Sequence, residues 1–345
     1  MGKHQTTVKD IARKLHISVS TVSRALRNLP DVNPETKKNV HEMAEKLNYE
    51  PNYIAKSLIN KRTNVIGVIV PLIASSVFSR ILTAMHNTAH RHGFQLMVCQ
   101  SNESSTQESE LIKQLVSFKI DGLLISVSSE TKNDEAFEIL NKKEIPYVLF
   151  DRILPINNVS KVTVDEFQCV FTAIKHLNEI GCRRIAHIGG PPHLSISKDR
   201  INGYLAALNK YNMEIDDRLI LHCNNFDEDP LVNVIKLFSQ KPYPDGIFTI
   251  NDYTAVAAIK YLNKCGVRVP EEVSVIGFNN DPIAEVVEPT LTTIKLPCDE
   301  IGTIATDLLI KKINSPSSPP QSVTLHGDII YRSSSEKAQL TSSFM

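Results

Sequence analysis

From residue 63 onward, short apolar runs alternate with helical stretches, and the whole series occurs twice. The first pass reads as strands over 65–70, 94–98, 122–127 and 147–150, with helical periodicity over 81–92, 108–118 and 136–140. The second pass places strands at 162–164, 185–189, 246–249 and 273–278, with helices over 169–180, 200–211 and 253–265. Continuous Val/Ile/Leu runs of this length mark strands buried on both faces, as in parallel sheets with helical crossovers. Two such series predict an α/β body made of two doubly wound parallel-sheet subdomains. Ligands of such folds sit beyond the C-terminal ends of the strands, and between domains where there are two. Here those ends are the loop from Pro71 to Phe78, residues 126–128, Asp151 and Arg152, residues 189–200, Asn251 and Asp252, and residues 279–281. Asn, Asp and Arg flanked by apolar groups suit a hydroxyl-rich small molecule.

The first sixty residues follow a different pattern. Thr7, with Asp10 three positions on, starts a helix over 8–15 whose Val8, Ile11, Ala12 and Leu15 share one face. Only His16 and Ile17 separate it from a second helix, capped by Ser18 or Ser20, that ends near Arg27 and turns Val22, Ala25 and Leu26 inward. Pro34 opens a third helix at its first position, with Val40, Met43, Ala44 and Leu47 inward. Two short helices joined so tightly form a helix-turn-helix, which makes the head all-α. The second helix of that motif enters a DNA major groove by its N-terminal end, here Val19, Ser20, Thr21 and Arg24. Arg24 can bond a guanine edge or a phosphate, Ser20 can donate or accept, and Val19 can touch a thymine methyl. The charge supports this. Residues 1–62 hold 12 Lys/Arg against 6 Asp/Glu, and the other 283 hold 26 against 32, so a basic head sits on an acidic body.

Several function classes fall away. At 345 residues the chain has room for two or three domains. Its apolar runs are strand-sized, well short of the ~18 residues that a membrane span needs. The first ten residues are polar and carry no export signal, so a cytoplasmic protein is expected. Six scattered cysteines without a CxxC pair predict free thiols, with no metal and no cofactor. There is no GxSxG, HExxH or Walker loop, and the prolines after Gly189-Gly190 remove the amide donors of a phosphate cradle. An enzyme is therefore not expected. An exported binding protein would lack its signal and have no use for the head, and a purely architectural DNA binder would have no use for a two-lobed body.

The segment DIARKLHISVSTVSRAL resembles the N-terminal signature of the lactose-repressor/galactose-repressor (LacI/GalR) family, and LNYEPNYIAKSL resembles that family's hinge helix. The resemblance continues through VIGVIVP, GLLI, VLFDR, HIGGPP, DRINGY, IFTINDYTAVAAIKYL, VSVIGFNND, PTLTTIKLP and DIIYRSS in order, so it spans nearly the whole chain. It implies a sequence-specific transcriptional regulator, a repressor, that binds a near-palindromic double-stranded DNA operator as a homodimer or larger assembly. A small carbohydrate or related effector would bind between the sensor subdomains. Val19, Ser20 and Arg24 would be the base readers. Thr7, Ser18, Thr21, Ser23, Asn28 and Tyr53 would contact the backbone or hinge, with Leu58, flanked by Ala55, wedged into the minor groove. Asp151, Arg200, Asn251 and Asn279 would contact the effector, with Ser75, Phe78 and Ser197 from neighbouring loops. Asp151 and Asp252 could instead cap helices, and Arg200 could make an internal ion pair. Two departures stand out. His16 occupies the turn position where relatives have glycine, and Asn279 stands where they often have Asp, which would suit an anionic or acceptor-rich ligand better. The implied division is a head over 1–51, a hinge over 52–62, one sensor subdomain from 63–163 and 292–323, and another from 164–291 and 324–340. The crossovers would fall near 163, near 291, and in or just after 315–322. Whether the effector is an inducing sugar, a purine or a phosphoprotein corepressor stays open.

Overall fold

The computed structural model describes residues 6–49, 62–223, 229–239 and 241–336. The chain divides into two compact units, Met1–Thr63 and Asn64–Met345.

The first unit contains α1 (Val8–Leu15), α2 (Val19–Leu26) and α3 (Pro34–Lys46). The Asp10 carboxylate takes the Thr7 amide at 3.0 Å and the Thr7 hydroxyl at 2.7 Å, which fixes the start of α1. Ser18, not Ser20, caps α2, its Oγ accepting from the Thr21 amide at 3.0 Å. Asn33 caps α3 ahead of Pro34. His16 ends α1 in the left-handed region at φ 53°, the conformation that glycine adopts most easily. Ile11, Val22, Ala25 and Val40 are fully buried where the three helices meet.

The second unit holds two six-stranded sheets. The first, ordered β11-β5-β4-β3-β1-β2, is wholly parallel. Its strands are β1 (Val65–Val70), β2 (Gln95–Gln100), β3 (Gly122–Ile125), β4 (Tyr147–Phe150), β5 (Ser160–Val164) and β11 (Ser322–Leu325). The second, ordered β12-β10-β9-β8-β6-β7, comprises β6 (Ile185–Gly189), β7 (Ile220–His222), β8 (Gly246–Thr249), β9 (Ser274–Phe278), β10 (Thr292–Lys295) and β12 (Asp328–Ile330). Only its edge departs from the parallel expectation, β12 running antiparallel to β10.

Helices cover both faces of each sheet. In the first lobe these are α4 (Ser76–Arg91), α5 (Ser105–Ser117) and α6 (Glu138–Lys142), with α12 (Cys298–Asn314) returning late in the chain. In the second they are α7 (Glu166–Glu179), α8 (Ser195–Lys210), α9 (Pro230–Leu237), α10 (Asp252–Lys264) and the single turn α11 (Ile283–Val286). Alternation along a strand feeds two cores. Ile66, Val68 and Val70 of β1 join the cluster with α4 and α12, while Ile69 joins the cluster with α5.

The chain crosses between lobes after β5, after β10 and after β11. Two of these differ from expectation. Residues 292–295 pair with β9 and belong to the second lobe, not the first, and residues 324–325 pair with β5 and belong to the first lobe, not the second. Short apolar segments carry no mark of which sheet they join; register with a distant strand decides it.

Candidate functional site

In the head, Ser18, Val19, Ser20 and Arg24 are exposed on one side of α2 and the turn before it, while Thr21 and Ser23 are half-buried. Val19 is 45% exposed, which sets it apart from the apolar stripe that fills the head core. The Ser18 hydroxyl lies 2.7 Å from that of Ser20 and 2.8 Å from that of Thr21, so the first turn of α2 holds its hydroxyls in a fixed cluster. Arg24 is ion-paired with Asp31 from the loop before α3. Asn28, at φ 54°, and Thr7 are also exposed. Tyr53, Ala55 and Leu58 lie outside the described residues.

In the body, a cleft of about 360 Å³ opens at the C-terminal ends of the central strands of both sheets. In each sheet the first strand's two neighbours lie on opposite sides of it, and the loops after such strands diverge to leave a crevice. Six of the seven expected effector residues line it: Ser75, Phe78, Asp151, Arg200, Asn251 and Asn279. Ser197 does not. It sits in the first turn of α8 with its hydroxyl against Gly190, where an added Cβ would lie 2.4 Å from Ile250 and 2.9 Å from that hydroxyl. The bare backbone of Gly190 lets α8 seat Ser197 inside the second lobe, away from the cleft.

Arg200 borders the cleft and also makes the internal ion pair. Its Nε donates to Glu166 at 2.8 Å and its Nη1 to the Ile250 carbonyl at 2.8 Å, and its guanidinium carbon lies 3.7 Å from the centre of the Phe278 ring. Beside it, Arg152 reaches both oxygens of Glu103, at 2.8 and 2.9 Å. Asp151 takes a left-handed backbone, φ 58°, and its carboxyl is raised from the ordinary range by burial, with Arg152 and Arg200 opposing. Asn279 is also left-handed, φ 106°. Such strain in non-glycine residues gathers at binding sites. The helix cap expected of Asp252 is made by Asn251, whose Oδ1 accepts from the Thr254 amide at 2.9 Å; Asp151 caps none of the described helices.

Hydrogen bonds join the lobes around the cleft. The Ser76 hydroxyl donates to Asp281, Arg80 Nη2 donates to the Asn279 carbonyl at 2.7 Å, and His193 meets the Ser129 carbonyl. Beneath Asp281, the buried Asp252 carboxylate accepts from the Asp281 amide and the Thr293 hydroxyl, both at 2.5 Å, and burial pushes it up to about 7. Sequence reasoning missed Glu103, Glu166 and Arg80, and named Ser76 only as part of the loop from Pro71 to Phe78. Nothing local marks an acid or a hydroxyl as the partner of a residue far along the chain.

Phe78, Ile196, Ile250 and Leu296 give the cleft apolar walls between its polar groups. Among the described residues no group of three or more His, Cys, Asp or Glu is arranged to hold a metal, and all six cysteines are free. No helix among them is long and apolar enough to cross a membrane.

Comparison with known proteins places both units. Residues 7–52 match the model of bacterial regulatory proteins of the lacI family, and residues 174–335 match the periplasmic binding protein-like domain. Catabolite control protein A of Staphylococcus xylosus is 30% identical over 326 residues, covering 94% of this chain and 98% of that protein. The solved complex of the transcriptional regulator CelR with cellobiose is 27% identical, with a TM-score of 0.74, covering 95% of this chain and 99% of that one. The Lac repressor dimer bound to operator and anti-inducer shares the fold, with a TM-score of 0.85 at 21% identity over 96% of this chain and 99% of that one. A helical DNA-reading head, a two-lobed body with a polar cleft, and relatives matched from end to end make one assignment: the chain belongs to the lacI family of bacterial regulatory proteins, DNA-binding transcriptional regulators rather than enzymes.

Proposed function

We propose that this regulator is a repressor that grips a near-palindromic operator as a homodimer, and that a small carbohydrate in the cleft changes the grip. The observation that carries this is the cleft itself. Polar groups from both lobes face one space, and hydrogen bonds from Ser76 and Arg80 tie the lobes together at its rim. A ligand held by both lobes prefers one lobe angle, and it shifts the DNA-bound population by its differential affinity for the two arrangements. The cellobiose bound to CelR makes carbohydrates the first class to test here.

On the DNA side, Val19, Ser20 and Arg24 would read bases in the major groove. Thr7, Ser18, Thr21, Ser23 and Asn28 would hold phosphates or support those readers. Tyr53, Ala55 and Leu58 would form the hinge contact, with Leu58 as the minor-groove wedge. Arg24 must exchange its Asp31 partner for a guanine edge, or present the free side of its fork while Asp31 holds the other.

Selection of operators from random DNA, followed by binding at graded salt, tests this. Operator affinity should fall steeply with salt as counterions are released from neutralised phosphates. Arg24→Ala should relax base preference at one position in each half-site and cost about 1–3 kcal/mol there. A flat salt response, or an unchanged selected sequence in the variant, would count against the assignment. Adding sugars to the same assay reads whether the effector releases or tightens the grip.

A further inference from the structure

In the head, the loop between α2 and α3 sets an acid against a proposed base reader. Asp31 is ion-paired with Nη2 of Arg24, and both side chains remain well exposed. The loop that carries Asp31 is short and fastened. The Asn28 amide donates to the Ala25 carbonyl at 2.9 Å, and the Leu29 amide donates to the carbonyl of Arg24 itself at 3.2 Å. The Val32 amide then donates to the Leu29 carbonyl at 3.3 Å. That bond closes a turn over 29–32 with Pro30, whose φ is fixed by its ring, in second place and Asp31 in third. Beyond the turn, Val32 is buried in the head core and Asn33 caps α3. Asp31 is therefore held from both sides, by backbone that starts at the residue it pairs with.

We propose that Asp31 is a positioning residue for base reading: it keeps hold of one side of the Arg24 fork in the DNA complex and so aims the remaining donors at a guanine edge. The proposal rests on the reading of Arg24 as a base contact and decides between its two courses, exchange of Asp31 or retention. Three physical arguments favour retention. A guanidinium has five N–H donors in one plane, so an acid on one side leaves enough for the O6 and N7 acceptors of guanine. A carboxylate abandoned by its arginine would stand unpaired near the phosphates, and the fastened turn gives it little freedom to withdraw. A long side chain loses rotamer freedom when it docks, and one that is already anchored has lost much of it before DNA arrives. A surface pair of this kind adds little to folding stability. Its effect belongs to recognition.

Retention has a signature in which affinity and preference move in opposite directions. Asp31→Asn keeps the size of the side chain and suits the turn, but it releases Arg24 and removes a negative charge from beside a polyanion. The full-length variant should bind non-specific DNA more tightly. Its preference for guanine at the Arg24 position of each half-site should fall about two- to tenfold, the ordering cost of one long side chain. In an Arg24→Ala background, Asp31→Asn should leave base preference unchanged, because the residue it positions is gone. Fluorescence anisotropy on a selected operator, on its single-base variants and on unrelated DNA reads all three. Thermal unfolding checks the fold, and Asp31→Ser replaces Asp31→Asn should that variant lose the parent's Tm. If Arg24→Ala relaxes the preference while the Asp31 variant keeps or sharpens it, DNA displaces Asp31; the proposal is then overturned and the base reading stands. A loss of preference just as large in the Arg24→Ala background would show that Asp31 acts through the fold, and would overturn it too. If Arg24→Ala itself leaves the preference unchanged, the base reading falls and the proposal falls with it.

Discussion

At Arg200 the two readings open from the sequence, ligand contact and internal ion pair, turn out to be compatible. Nε and Nη1 are committed to Glu166 and the Ile250 carbonyl, the ring of Phe278 lies under the guanidinium, and the side chain still borders the cleft. The planar fork of arginine can be anchored on one edge and present on another. Asp252 sits deeper. It is fully buried and the Asp281 amide and Thr293 hydroxyl that bond it are neutral donors, so burial raises its carboxyl to about 7, against an ordinary value near 3.9. The folded state therefore holds this proton more tightly than the unfolded chain. The contribution to stability is fully present at the acid end and is lost as pH rises from about 4 to about 7. Asp252→Asn removes that dependence. Compared with the parent, the variant should gain stability between pH 4 and pH 8, by up to about 4 kcal/mol. Denaturant titrations at several pH values check this, and a difference that does not vary with pH would contradict it.

Elements read from the sequence succeeded where periodicity was strong and failed where burial depends on distant partners. The three head helices carried complete signals: Thr7 with Asp10, Ser18, and Pro34 at starts, and apolar stripes between. The long helix α12 was not anticipated, because small residues on its buried face, Gly302, Ala305 and Thr306, dilute the apolar stripe. Those residues let it approach α4 closely. A Cβ on Gly302 would fall 2.5 Å from the Ile81 carbonyl and 2.8 Å from the Ala84 Cβ. Because the nearest atom is backbone, the helices must separate to admit a methyl group. Gly302→Ala should therefore destabilise the body by about 1–3 kcal/mol even though it raises helix propensity. An unchanged urea midpoint would mean that the contact is looser than the structure indicates. The short strand β7 also escaped the reading. Three residues at a sheet edge, half-exposed, carry too little pattern to separate them from loop.

For the whole molecule, the question is how occupancy of the cleft reaches the DNA. The lobes meet at its rim through Ser76 with Asp281 and Arg80 with the Asn279 carbonyl, so these contacts report lobe angle directly. Removing them together in Ser76→Ala/Arg80→Ala should shrink the ratio of operator affinities with and without a bound sugar, because the ligand then discriminates less between two lobe angles. Fluorescence anisotropy on a selected operator measures that ratio, and an unchanged value would place the coupling elsewhere.

The sequence alone determined the all-α head, the doubly wound parallel lobes and six of the seven cleft-lining positions proposed. The head and the lobes follow from local chemistry, caps and periodicity; the rule that strands in such sheets end at the binding face marked the loops, and the resemblance to LacI/GalR sequences named the residues within them. Only the tertiary structure decided that residues 292–295 join the second sheet, that Ser197 is turned onto Gly190, and that Glu103 and Glu166 neutralise the two arginines. Those outcomes depend on strand register and on charges brought together from distant parts of the chain. Sequence spacing carries no record of either until the packing of the lobes fixes which groups share one low-dielectric space.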